Sequence, residues 1–196
     1  MGNLRVIGGE RKGFPLFSPA GSSLRPTSGR VRKALFDILG SDITGARFLD
    51  LYAGTGAVGI EALSRGAAHC VFIDAGRPAV SAILRNLESC GLGSRGCVLL
   101  GSLPAALSRL SRGEDFDRVF VDPPYGERES ERILAVLGTS DLLAPGCRVI
   151  VEHRKSWTPP PVSGRLLLRR SARYGDTVLS FFAVGVEGAE GGKDEV

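Results

Sequence analysis

From residue 47 onward, short apolar runs alternate with amphipathic stretches, and this rhythm restricts the fold more than any other property of the chain. The apolar runs are 47–52, 69–74, 96–100, 117–121 and 147–152. Between the first two lies a helical segment, 57–65, closed by Gly66. A second, 78–90, starts at Pro78 and repeats apolar residues at Val80, Ile83, Leu84 and Leu87. A short helix is predicted near 104–111, starting at Pro104, and another over 129–137, before Gly138. Strands separated by helices predict a parallel sheet covered on both faces, since parallel neighbours need a crossover and these crossovers are helical. The pattern then changes: 165–170 and 177–184 are β-like runs with no helix between them. They predict an antiparallel hairpin on the sheet edge, seven strands in all.

The segment ahead of this body is basic. Residues 1–40 hold seven basic side chains against two acidic ones, while residues 41–196 hold 18 basic and 19 acidic, so the chain's net +4 originates in its first fifth. Residues 5–13 look like a short strand and a Gly-rich turn, and 16–19 like the return strand of a hairpin. Arg25-Pro26-Thr27-Ser28 ends the arm. Thr27 or Ser28 can cap a helix running to Leu39, with apolar residues at Val31, Ala34, Leu35, Ile38 and Leu39 and Gly40 placed to stop it. A basic arm on a near-neutral body is an electrostatic footprint for a polyanion, with Arg5, Arg11, Lys12, Arg25, Arg30 and Arg32 as the phosphate-binding candidates. The plainer alternative is an arm that only packs on the fold. The division expected is a basic extension and first helix over 1–40, the α/β domain over 41–185 and a Gly-rich, acidic, disordered tail over 186–196.

Two motifs carry chemistry. Asp122-Pro123-Pro124-Tyr125 follows the apolar run Val119-Phe120-Val121. Each proline fixes its own φ, restricts the residue before it and offers no N–H. What remains is a carboxylate, fixed carbonyls and a flat ring, which suits an exocyclic amino group on a planar base. The plain reading is a strand end closed by a Pro-Pro turn. Upstream, Asp50-Leu51-Tyr52-Ala53-Gly54-Thr55-Gly56-Ala57-Val58-Gly59 places G-x-G-x-x-G between a strand and a helix. The glycines allow a tight turn and close ligand approach. Such turns serve nicotinamide and adenosine cofactors alike. Asp50, ahead of the glycines, can meet the amino-acid end of S-adenosylmethionine directly or through water. Asp74, ending the second strand, can accept both ribose hydroxyls of either cofactor. The Asp122 motif decides for the methyl donor, because hydride transfer has no use for it.

The cysteines, Cys70, Cys90, Cys97 and Cys147, form no C-x-x-C pair, and with only His69 and His153 beside them no metal site is expected. They read as buried free thiols in a reducing cytoplasm. No run approaches the ~20 apolar residues of a membrane span. His153 reads as a strand-end polar residue and Trp157 as a loop cover.

Together these motifs resemble amino-group methyltransferases acting on nucleic acid bases. The likeness narrows with Arg5-Val6-Ile7-Gly8-Gly9, Lys12-Gly13, Arg25-Pro26-Thr27-Ser28, Val31-Arg32, Ala34-Leu35-Phe36, the run from Leu49 to Gly66 and Tyr174-Gly175-Asp176-Thr177. Over residues 4–183 the chain is similar to the RsmD family. That resemblance implies a Rossmann-like class I fold, S-adenosylmethionine as cofactor, and methylation of guanine N2 in 16S rRNA of assembled or nearly assembled small subunits. Asp122, Pro123 and Tyr125 would be catalytic, and Asp50, Ala53, Gly54, Thr55, Gly56, Asp74 and Ser102 would hold the cofactor. Ser102 stands where the family often has an acid against the adenine amino group, Gly29 where it often has Asp, and Tyr52 where it has Phe. A monomer is the default. The competing readings are a DNA adenine or cytosine amino-methyltransferase and a catalytically silent RNA-binding assembly factor.

Overall fold

The computed structural model of the chain describes residues 4–19, 28–110, 113, 115–124 and 127–185. Arg25, Tyr125 and the acidic tail lie outside them. Helix α1 (Gly29–Leu39) is capped by Ser28, whose hydroxyl accepts from the Val31 N–H at 3.2 Å. It ends at Gly40, in the left-handed region at φ 54°. Then follow β1 (Arg47–Leu51), α2 (Ala57–Ser64), β2 (His69–Asp74), α3 (Arg77–Ser89), β3 (Gly96–Leu100), β4 (Phe116–Val121), α4 (Glu127–Thr139), β5 (Leu143–Arg154), β6 (Val162–Ser163), β7 (Leu166–Tyr174) and β8 (Thr177–Val184).

One sheet runs in the order β3-β2-β1-β4-β5-β8-β7-β6. Strands β1 to β5 pair in parallel, and β5–β8, β8–β7 and β7–β6 are antiparallel. The predicted parallel body and closing hairpin are both present. The strand beyond the seven predicted, β6, is two residues long and follows three prolines, too short for any periodicity to register. Strand β5 begins four residues earlier than its apolar run, with a register shift where Pro145-Gly146 interrupts the pattern. The segment near 104–111 is a 3-10 helix over Ala105–Arg109. Gly138 does not stop α4 but lies inside it: a Cβ there would be 2.1 Å from the Ser163 carbonyl oxygen, so glycine serves close approach to β6.

Alternating strand residues divide into two cores, the pattern of strands buried on both faces. Phe48, Cys70, Phe72, Phe120 and Ile150 pack toward α1, α2 and α3. Leu49, Leu51, Val71, Ile73, Val119, Val121 and Val149 pack toward α4. Each fully buried Phe or Leu contributes about 1.5–3 kcal/mol of transfer free energy.

The arm joins the first of these cores. It forms a hairpin with an Arg5–Pro15 bridge, and Val6 and Leu16 are buried in the cluster that includes α2. Glu61, on α2 and fully buried, accepts from the N–H groups of Ile7 and Gly8, both at 2.7 Å. Ser64 Oγ donates to the Gly8 carbonyl at 2.6 Å and accepts from the Arg11 N–H at 3.0 Å. The boundary at residue 40 therefore separates charge, not packing. Cys97 is exposed, unlike Cys70, Cys90 and Cys147, because β3 is an edge strand.

Candidate active site

Strand order reverses between β1 and β4, which opens a crevice at the carboxyl ends of the strands, the usual ligand position in such sheets. The exits are held side by side by backbone bonds: Asp122 N to Leu51 O at 3.4 Å, Ala53 N to Ile73 O at 3.1 Å and Gly101 N to Asp74 O at 2.9 Å. Asp122, Asp74 and the glycine turn thus converge on one cleft.

The turn's glycines have separate reasons. Gly54 takes φ 57°, and a Cβ on it would meet nothing within 4 Å, so it faces open space where a ligand can approach the backbone. Gly59 is helical, and a Cβ on it would sit 2.2 Å from the Phe72 ring and 2.6 Å from Cys70 Sγ, so its absence lets α2 lie against β2. Tyr52 also takes φ 60°, a conformation costly for any residue with a side chain. Its hydroxyl donates to Glu129 Oε1 at 2.7 Å, in the first turn of α4.

Asp50 alternates onto the same face as Phe48, beneath α2. It is 2% exposed, and its Oδ2 accepts from the Gly59 N–H at 2.8 Å, in the first turn of a helix without a side-chain cap. Burial pushes its carboxyl well above the ordinary range, the Gly59 bond opposes this, and the charges of Asp122 and Asp74 push it further. Through this bond Asp50 ties the end of β1 to the start of α2. Asp74 Oδ2 accepts from Gly54 N at 2.9 Å and Oδ1 from Gly76 N at 2.8 Å. Each carboxylate oxygen keeps a second acceptor site for a ribose hydroxyl. Ala53 is partly exposed and Ser102 exposed, at the turn that follows β3. Thr55 is 2% exposed, and its Oγ1 is buried without a hydrogen-bond partner.

Asp122 and Pro123 are partly buried at the mouth. Burial pushes the Asp122 carboxyl up to about 7. Tyr125 lies outside the described residues. His153 is locked elsewhere: Nε2 is 2.7 Å from Ser180 Oγ, Nδ1 is 2.8 Å from the Arg154 carbonyl, and its ring meets Trp157 edge-on at 4.7 Å. Burial lowers its pKa, in keeping with a structural strand-end role. Trp157 is buried and covers the α4-side core.

Of the phosphate-binding candidates, Arg5, Lys12 and Arg30 are exposed and Arg11 is half-buried. Arg32 is not available. It is 1% exposed, 3.7 Å from Glu61, and its Nη2 donates to the Arg5 carbonyl at 2.5 Å. Its place in the apolar stripe of α1, beside Val31 and Leu35, marks a core arginine.

Three residues escaped the sequence reading. Asn86 is 1% exposed; its Nδ2 donates to the Phe17 carbonyl at 2.9 Å and the Thr55 carbonyl at 3.0 Å, and its Oδ1 accepts from Phe17 N at 2.6 Å. It ties the arm to the glycine turn, and its signal was an amide among Ile83 and Leu87. Glu61, a lone charge in an apolar helix, carried a similar signal. Arg85, 4.0 Å from the Phe17 ring centroid, carried none. Among the described residues no His, Cys, Asp and Glu cluster could hold a metal, and no helix is long and apolar enough to cross a membrane.

The residues present fit a cationic adenosine cofactor. Asp74 and Asp122 border the cleft at the strand ends, and Gly54 leaves the backbone open. Fold and site define a Rossmann-like, S-adenosylmethionine-dependent methyltransferase. A solved RNA methyltransferase of Salinibacter ruber in complex with S-adenosyl-L-homocysteine is similar in fold, with TM-score 0.64 at 17% identity over 83% of this chain and 95% of that one. Residues 4–183 match the family model described as Conserved hypothetical protein 95, and the chain belongs to this family, the RsmD family of rRNA methyltransferases. Ribosomal RNA small subunit methyltransferase D of Escherichia coli K12 is 33% identical over 188 residues, 95% of this chain and 93% of that protein. A solved hypothetical protein of Thermus thermophilus is 33% identical with TM-score 0.78, covering 93% of this chain and 99% of that one.

Proposed function

We propose that this chain methylates the exocyclic N2 of one guanine in 16S rRNA, on assembled or nearly assembled small subunits, acting as a monomer in the cytoplasm. The observation that carries the reading is the convergence of Asp122 with the glycine turn at the sheet's switch point. The E. coli relative's name supports a small-subunit rRNA substrate.

Asp74 would hold the cofactor's ribose, Ala53 to Gly56 its amino-acid side, and Ser102 the adenine side. When bound, S-adenosylmethionine supplies a methyl group on a sulfonium, already activated for in-line displacement. The guanine amine is a poor nucleophile because its lone pair is delocalised into the ring. The Asp122 carboxylate and the Pro123 carbonyl are acceptors for its two N–H groups, and holding both favours a pyramidal nitrogen with its lone pair aimed at the methyl. Placement of this kind is the main lever an enzyme has on such a reaction. Asp122 need not remove a proton first, since the methylated ammonium is acidic and can release its proton to the carboxylate afterwards. Tyr125 would stack on the base once it leaves its neighbours.

A tritiated-methyl assay with small subunits, protein-free 16S rRNA and duplex DNA tests the reading. Label in the small-subunit RNA, at guanine N2 after nuclease digestion, is the expected result. Label in duplex DNA would make it a DNA enzyme, and no label in any substrate would make it a silent assembly factor.

A further inference from the structure

The chain has nine phenylalanines. Seven of them, Phe36, Phe48, Phe72, Phe116, Phe120, Phe181 and Phe182, are at most 4% exposed. Phe14 and Phe17 are 40% and 38% exposed, and both lie on the basic arm. Scattered exposed apolar residues are ordinary, but two large rings three residues apart amid cations are a patterned surface. Each ring has a guanidinium over it, Arg11 at 5.9 Å from the Phe14 centroid and Arg85 at 4.0 Å from that of Phe17. Lys12, next to Arg11 in the hairpin turn, is exposed. No ion pair engages Arg11, Lys12 or Arg85 among the described residues.

Phe17 is fixed relative to the site. Asn86 binds the Phe17 backbone through both its N–H and its carbonyl, and the same side-chain nitrogen binds the Thr55 carbonyl in the glycine turn. Phe17 therefore stands one bridging side chain away from the cofactor turn.

We infer that Phe14 and Phe17, with Arg11 and Arg85, form a stacking platform for unpaired RNA bases flanking the target nucleotide. The inference rests on the rRNA reading above. Aromatic faces stack on any base, guanidinium planes add to them, and neighbouring cations draw the phosphates, which is how single strands are held without sequence readout. Arg85 thereby joins the RNA-binding set, although it lies on α3, far from the arm in sequence.

The test uses the full chain and a short single-stranded RNA carrying 2-aminopurine, whose fluorescence reports stacking. The wild type is expected to bind it with a fluorescence change. Phe14→Leu/Phe17→Leu should lose roughly ten-fold or more in affinity, Phe14→Tyr/Phe17→Tyr should restore it, and Arg85→Ala should weaken it several-fold. Cofactor affinity should not change in any of them, which separates the effect from misfolding. Equal RNA affinity of the Leu variant and the wild type would overturn the inference. So would a Leu defect confined to assembled subunits and absent with the oligonucleotide, which would make a ribosomal protein the partner. The binding assay is independent of methyl transfer, so failure of the guanine assignment would show separately in the methylation assay.

Discussion

The Tyr52 hydroxyl donates to the Glu129 carboxylate at 2.7 Å, joining the cofactor turn to the first turn of α4. These are the segments on either side of Asp122, and Tyr52 holds its half of the bond from a strained φ of 60°. Burial pushes the phenol's pKa far up, and the Glu129 bond pushes it further, so the hydroxyl stays a donor at any physiological pH.

Removing that hydroxyl should loosen the site. Tyr52→Phe is expected to cost about 1 kcal/mol of stability, the usual net worth of a hydrogen bond. Methyl-transfer rate should fall while donor affinity holds, because the turn's glycines are untouched. Glu129→Gln, which keeps an acceptor, should resemble the wild type, and Glu129→Ala should resemble Tyr52→Phe. A thermal melt and a single-turnover assay read both effects.

Asp122 sets stability against activity. Its folded pKa, raised to about 7 from 3.8, means that ionisation opposes folding. A raised carboxyl is fully tolerated below the unfolded pKa, and stability falls as pH rises from about 4 to about 7. Asp122→Asn should therefore be more stable than the wild type at pH 8, by an amount on the order of 1 kcal/mol or more, and near parity at pH 4. Methylation should drop by about 100-fold or more with little change in donor affinity. Chemical denaturation at the two pH values checks the first statement; equal differences at both would refute it.

The same group predicts how the two cofactor forms differ. S-adenosylmethionine carries a sulfonium charge that S-adenosylhomocysteine lacks. As pH rises through about 7, Asp122 ionises at the mouth of the cleft, and a positive charge on the bound cofactor stabilises that carboxylate. Affinity for the sulfonium form should rise across this range while affinity for the neutral thioether changes less. Calorimetry at pH 6 and pH 8 would show parallel behaviour if that carboxylate were uncoupled from the cleft.

Glu61 governs the arm. It is fully buried between Arg32 and Arg65 and accepts two backbone N–H groups. Glu61→Ala leaves Arg32 as a buried charge without its partner and should cost about 3–5 kcal/mol. For the same reason, removing residues 1–25 should not leave a cofactor-binding body intact, contrary to what charge alone suggests. A truncated chain with a wild-type melting temperature would contradict this packing role.

Gly59→Ala should fail at the helix–strand contact. Its Cβ would overlap Phe72 and Cys70 on a buried strand, so a loss of about 1–3 kcal/mol is expected, with donor affinity reduced through the displaced turn. Comparing it with Gly29→Ala, whose Cβ meets open space, isolates the steric cause.

Much of the architecture was legible because it rests on local periodicity. Strands β2 and β3 match their apolar runs, and α2 and α3 begin and end within a residue of their signals. The converging ends of β1 and β4 followed from the parallel order. What escaped depends on partners distant in the chain. Arg32 reads as a cation for phosphate until Glu61 and the Arg5 carbonyl are seen around it. Gly138 reads as a helix stop until Ser163 is seen against it. Asn86 and Glu61 are single polar residues in apolar stripes, and sequence alone cannot say which backbone groups, 69 and 53 or 54 positions away, they satisfy.

The bond between Phe17 and Asn86 also dictates an order of events during synthesis. Residues 4–17 are made well before Asn86, the α3 anchor that binds Phe17. At translation rates of about 5–20 residues per second, this basic stretch stays undocked for several seconds beside the polyanion that is synthesising it.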